Sequence, residues 1–521
     1  MGTILRSSAY HITLILGLAC GSTGCYEAWT DAVRITPSQY TGVRVGDIAV
    51  DMDGRIHILY TGNSGGPQIT SRTSYDGGQS YPVGATVGTN IHDYAMGMQL
   101  LTDHAEANRL FAAWNPKGAG STFPEVSFST SINGGNSWSP PRNLAAGTPS
   151  SDVYCNNQLA QRECDGMLAV AFQSVYEGTE TQGIYITTSA NDGVSWSPPS
   201  PIGNWADRPN AILTGLEYAE DGSLVVVYGH WRPGGTRWHF VRRSTDNGVT
   251  WTTSYNCANS GVPESTIRSG ALVRAGTDLH FFWHMDDRLG HTVSKDNGYS
   301  WALDGRHEFS ERGYFHGLRA DYSPADLRVT LSYTLYEPDF RGSNLFVREF
   351  DGATWSNEVR INNKFGEVRG NAGIAFQADG TAHAAWGDLR YDESYHEYTE
   401  LVAARSEANS PDSWMVRFNG NTVFHEAARG DVISFDYTLG NPTGTDGTFD
   451  VWVEYKGFNG ATGVMQRTSG VALATGDSRT FTYTRAVNPR TPIGNWEVIV
   501  FVGNYPNGKI ASDIFEVAVT R

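Results

Sequence analysis

The chain has 521 residues, 59 of them glycine, with 12% aromatic and 18% charged content and a formal net charge of −17. That length permits a large core and a second domain, while the acidic balance argues against nucleic acid or an anionic membrane surface as partner. Helical periodicity is almost absent, so the elements are expected to be strands.

At the N-terminus Arg6 precedes an apolar stretch, Ile12–Ala19, with no acid before Glu27. It is too short to span a bilayer and reads as a secretory signal peptide over residues 1–25, predicting a protein exported by a bacterium. Cys20 follows Leu16-Gly-Leu-Ala19, a lipobox-like context, and Cys25 follows Gly24. A lipid anchor at Cys20 or Cys25 at the cell envelope is one expectation and plain secretion the other. Cys155 and Cys164 flank a short loop and could pair in an oxidising compartment. No CxxC pair and no His-x-x-x-His spacing suggests zinc, and no cofactor is required, a structural cation staying open.

Residues 26–417 repeat one phrase, Ser-x-Asp/Asn-x-Gly-x-x-Trp/Tyr. The copies begin at Ser74, Ser131, Ser189, Ser244 and Ser294, spaced 57, 58, 55 and 50 residues apart. A period near 50 built of short strands points to propeller blades. The Asp or Asn is expected to bond its own backbone two residues on, Gly to supply a positive φ, and the aromatic to plug the interface between blades. A degraded turn follows at Phe350-Asp-Gly-Ala-Thr-Trp355, and a last one at Ser410-Pro-Asp-Ser-Trp414. Each turn follows an apolar strand: Ile56–Tyr60, Leu110–Trp114, Leu168–Phe172, Leu224–Tyr228, Leu279–Trp283, Val329–Tyr333 and Ala382–Trp386. The expected fold is therefore all-β, a seven-bladed β-propeller with six blades as the alternative. Trp29–Ile35 has no turn of its own and should complete the last blade, removing an exposed edge.

Residues 418–521 lose the phrase and alternate instead, at Asp431–Tyr437, Thr448–Tyr455, Ser478–Thr484, Trp496–Val502 and Asp513–Val519. This spacing reads as an immunoglobulin-like β-sandwich accessory domain.

Ligands of a propeller meet the start of each innermost strand and the end of the next. The starts carry Arg44, His92, Asn157, Arg208, Arg268, His316 with Arg319, and Arg369; the ends carry Lys117, His230, His284 and Arg390. A basic rim inside an acidic protein suits an acidic glycan, because a guanidinium fork holds carboxylate or sulfate bidentately. The bland alternative pairs these cations with Asp207, Glu264, Asp321 or Asp388. A monomer is expected.

The repeated phrase resembles the Asp-box of the sialidase superfamily. That resemblance implies a propeller with the turns on its outer rim, and glycoside hydrolysis at its axis. Arg44, in Val43-Arg-Val-Gly46, corresponds to the first of three arginines that grip a sialate carboxylate. The loop expected to hold the acid/base Asp is Thr61-Gly-Asn-Ser-Gly-Gly-Pro-Gln68, which has no carboxylate. Tyr314 matches the nucleophile and Glu264 its polarising acid. The chain is also similar in blade count to certain ulvan lyases, for which Tyr228, His230 and His284 with the arginines could remove a proton α to a uronate carboxylate. A non-catalytic glycan binder, stacking sugars on Tyr176, Trp231 and Trp238, is the third reading.

Overall fold

The computed structural model describes residues 28–30, 32–36, 43–62, 68–89, 96–116, 126–146, 150–176, 182–203, 211–231, 237–257, 270–285, 288–307, 314–325, 327–336, 343–356, 359–362, 368–388, 400–407, 415–418, 424–441, 446–457, 461–474, 477–506 and 508–520. The signal-peptide region with Cys20 and Cys25, and the last turn at Ser410–Trp414, lie outside them.

All named elements are strands, and through Glu407 they form antiparallel units. Arg44–Val50 opens the first unit, followed by Ile56–Gly62, Gln68–Ser74 and Val83–Thr89. Four more four-stranded sheets repeat the order, beginning at Met96–Thr102, Ser150–Gln161, Ala211–Tyr218 and Gly270–Ala275. Two further units begin at Tyr314–Ser323 and Val368–Phe376, joined into one sheet by the bridge Ser343↔Val368. The last unit borrows its outer strand from the N-terminus: Trp29 pairs with Ser406 and Val33 with Ala403. Arg34 and Glu400 add an ion pair across that seam. The opening strand of each unit packs against that of the next, and Val368–Phe376 packs against Arg44–Val50, returning the series to its start.

The second strand of each unit is a continuous apolar run because neighbouring units cover both its faces. Ile56–Gly62, Leu110–Asn115 and Ala382–Asp388 are buried at every position. Inter-unit cores follow, such as Phe111, Phe128, Leu159 and Phe172 with the turn aromatic Trp196 packed against them.

The turns are built differently in one detail from the sequence expectation. In the copy at Ser244, the serine hydroxyl donates to Asp246 Oδ1 at 2.8 Å and accepts the Gly248 N–H at 2.9 Å. Asp246 then accepts from the Thr250 N–H at 2.8 Å and its hydroxyl at 2.5 Å, so the carboxylate closes the turn four residues on, not two. The turn indole donates to the glycine carbonyl, Trp251 to Gly248 at 3.1 Å.

The residue before that glycine takes a left-handed conformation, with φ of 57° at Asp192 and 58° at Asn247 and Asn297, and glycines at 77 and 134. Asp and Asn tolerate this region best among residues with a side chain. An arginine of the preceding unit reaches the same position in each case. Arg405 donates to Gly77 O, Arg109 pairs with Asp192, Arg162 donates to Asn247 Oδ1, and Arg243 donates to Asn297 O. Arg55 lies against Gly134 and donates to Asn108. These arginines clasp unit to unit round the ring, and Arg405 to Gly77 joins the last unit to the first.

Beyond residue 414, a three-stranded sheet contains Met415–Phe418, Val432–Gly440 and Ser478–Ala486. A five-stranded sheet contains Phe424–Ala428, Gly447–Gly457, Thr462–Leu473, Gly494–Asn504 and Gly508–Thr520. Ile433, Tyr437 and Tyr483 of the first share a core with Val451, Val453, Val500 and Val517 of the second.

Candidate functional site

Six of the seven opening strands carry a register shift near their start, between Val45 and Asp47, Met96 and Gln99, Tyr154 and Asn157, Leu213 and Gly215, His316 and Arg319, and Arg369 and Ala372. A bulge re-aims the side chain that follows it. It thereby sets Asp47, Gln99, Asn157 and Arg319 at comparable heights on different units.

Arg319 crosses the ring rather than its own unit. Its guanidinium reaches Gly46 O of the first unit at 3.5 Å and Leu318 O at 3.4 Å, both long, and its Nε is buried without a partner among the described residues. Asp47 is the acid whose charge it senses. Yet the Asp47 oxygens accept the N–H groups of Ile48, at 3.0 Å, and Leu100, at 2.9 Å. Arg319 is therefore not locked to a carboxylate. Asn157 is buried with both side-chain polar atoms unpartnered among the described residues. Buried polar groups left this way invite a ligand or water.

Three carboxyls lie on opening strands, Asp47 just after its bulge and Glu217 and Asp321 two residues further along theirs. Burial pushes Asp321 up to about 7, with the Asp47 charge adding to it against backbone N–H groups of Tyr322 and Phe376. Burial pushes Glu217 up to about 7 as well, opposed by the Tyr218 N–H and by Arg274. Asp47 is raised by burial against the attraction of Arg319. Loss of water around a carboxylate disfavours its charged form, so Asp321 and Glu217 titrate near neutrality.

The remaining sequence candidates sort by position. His284 is buried at the end of Asp278–Met285. Its charge and, above all, burial hold His239 down at about 3, and both His239 ring nitrogens lack partners among the described residues. Tyr228 is buried in the core, stacked on Phe240 at 5.9 Å, so it packs rather than lines an opening. Asp388 is buried and accepts from the Trp386 indole at 3.0 Å, and Asp321 accepts backbone N–H groups. Arg44 begins the first strand, half-buried. Of Tyr314, His316, His230 and Arg369 only the backbone is described. Lys117, Arg208, Glu264, Arg268, Arg390 and His92 lie outside the described residues. Cys164 is a free, exposed thiol and Cys257 a free, buried one, which replaces the Cys155–Cys164 pairing considered from sequence. No group of three His, Cys, Asp or Glu among the described residues is arranged to hold a metal ion.

Glu217 and Asp47 were missed by sequence reasoning. The available clue was an acid in an opening strand that is otherwise apolar.

Residues 108–311 match the BNR repeat-like domain family. Among solved structures, a Hadza microbial sialidase shares 15% identity over 66% of this chain and 74% of its own, with a TM-score of 0.45. A Trypanosoma rangeli sialidase bound to the inhibitor DANA shares 10% over 82% and 88%, at 0.44. An ulvan lyase bound to a glucuronate–sulfated rhamnose unit shares 12% over 60% and 77%, at 0.39. No curated protein matches the sequence.

Proposed function

We propose, for a chain whose residues 108–311 are a BNR repeat-like domain of the sialidase superfamily, a seven-bladed β-propeller with an immunoglobulin-like sandwich after it. It acts as an exported enzyme that hydrolyses glycosidic bonds of an acidic glycan at the propeller axis. The observation that carries this reading is Arg319, a guanidinium that crosses between units, makes only long bonds to carbonyls and keeps its Nε unpartnered among the described residues. Such a group gains most from a carboxylate or sulfate, which accepts from its fork. Asn157 adds a buried donor and acceptor, and Asp321 and Glu217, near 7, supply acids that titrate near neutral pH.

A lyase reading is favoured by one feature, the absence of any carboxylate from Thr61–Gln68, since β-elimination needs a neutralised uronate and a proton acceptor rather than a carboxylate nucleophile. Incubation with sialosides and with uronate polysaccharides separates the outcomes. Free acidic sugar supports the hydrolase, and new absorbance near ~235 nm from a conjugated uronate supports the lyase by the elimination route. Saturable binding with neither product rejects both in favour of a binder.

A further inference from the structure

The C-terminal strands enclose a cleft of about 190 Å³ between the two sheets. Its size is below that of pockets for drug-sized ligands, so it suits one ring-sized group. One wall is aromatic: Tyr455 and Trp496 stand 5.6 Å apart between ring centres at 57°. The Trp496 indole N–H is spent on Pro492 O at 3.0 Å, so the indole is held as a wall and offers a face rather than that donor. The lining also includes the aliphatic Ile433, Met465, Val487, Val498, Val517 and Val519, with Arg485, exposed, and Asn488 and Thr491 in the adjoining turn. The turn is itself fixed, by Thr491 N–H to Asn488 O at 2.8 Å and Arg429 to Thr491 O at 2.8 Å. A flat, CH-rich face matches the aromatic wall, and an anionic substituent matches the guanidinium fork.

We propose that this cleft is a second binding site, taking a single sugar ring that carries a carboxylate or sulfate. Its lining residues all belong to the C-terminal strands and their turns, so the site does not depend on chemistry at the propeller axis. The occupant is one sugar unit because a volume of about 190 Å³ holds little more than one ring.

The test uses the full-length protein in an Arg319→Ala background, so that an anion at the axis does not contribute, with isothermal titration by glucuronate and by glucose. Glucuronate should bind saturably, glucose at least tenfold more weakly, and Arg485→Gln should lower glucuronate affinity about tenfold. Tyr455→Leu should weaken both sugars, and a melting temperature kept by Arg485→Gln separates lost binding from lost fold. Absence of saturable glucuronate binding would overturn the proposal. So would glucose binding as tightly, affinity untouched by both substitutions, or displacement of glucuronate by decanoate, which would mark an alkyl site. Turnover of a soluble substrate by the Arg485→Gln variant with Arg319 intact should equal that of the unmodified protein whatever the reaction proves to be, so failure here and failure of the axial reading are told apart.

Discussion

Arg319 and the three axial carboxyls concentrate the chemistry that a single residue can report. Arg319→Ala should weaken ligand or transition-state binding by about 2 kcal/mol, the scale of a charge-assisted bidentate contact. Arg319→Lys should recover only part of that, because a point charge lacks the planar fork. Measured affinity that stays unchanged in the Ala variant would remove the anion site from the axis. The acids predict a pH dependence of stability with a defined sign. Asp321 and Glu217 titrate near 7 in the fold and near the ordinary carboxylate range when unfolded. The folded state therefore holds more protons between about pH 4 and pH 7, and stability should fall as pH rises through that window, then level. Asp76, held down at about 2 mainly by the Ser80 hydroxyl, works oppositely, but only below the ordinary carboxylate range. Asp321→Asn and Glu217→Gln should each flatten the slope in urea-melt midpoints taken from pH 4 to 8; an unchanged slope would mean both carboxyls ionise freely in the fold.

The turns are where sequence and structure agree most closely, because their hydrogen bonds are local. Ser244, Asp246, Gly248 and Thr250 lie within seven residues, and the phrase names the residues that meet, though the carboxylate bonds four residues on rather than the two expected. The clasp was not legible. Arg162 and Asn247 are separated by 85 residues, and nothing in either phrase indicates that an arginine of one unit reads the left-handed residue of the next. The axial acids were hidden for the same reason, since their depth is a property of the assembled ring. Rim positions such as Arg44 and Arg319 could be named because strand starts recur with the repeat. Asp246→Ala should lower stability by roughly 1 kcal/mol through lost turn bonds, leaving ligand affinity intact. Arg162→Ala and Asn247→Ala should each cost a similar amount, and together less than their sum, because they remove one contact twice. Strict additivity in denaturant melts would show the clasp to be idle.

At the scale of the whole molecule the decisive contact is the one that returns the chain to its beginning. Ile48 in the first unit and Gly373 in the last are 325 residues apart, yet a Cβ added at Gly373 would stand 2.7 Å from Ile48 Cγ2 and 3.1 Å from its backbone nitrogen. The same device recurs inside the ring, where Gly46 faces Met98 and Gly215 faces Leu272, each at the opening strand of the following unit. Small residues let opening strands approach closely enough to close the circle, and Gly373 has ordinary φ, so any penalty for alanine there is steric. Gly373→Ala should therefore destabilise the protein by about 1–3 kcal/mol, the usual cost of overpacking. Ile48→Ala alone should also destabilise, by leaving a cavity, but the double variant should be more stable than the two losses predict, because the smaller residue at 48 makes room for the new methyl. The coupling is specific to closure. An open array would leave position 373 facing solvent, Gly373→Ala would then be neutral or slightly stabilising, and no coupling with position 48 would appear in the melts.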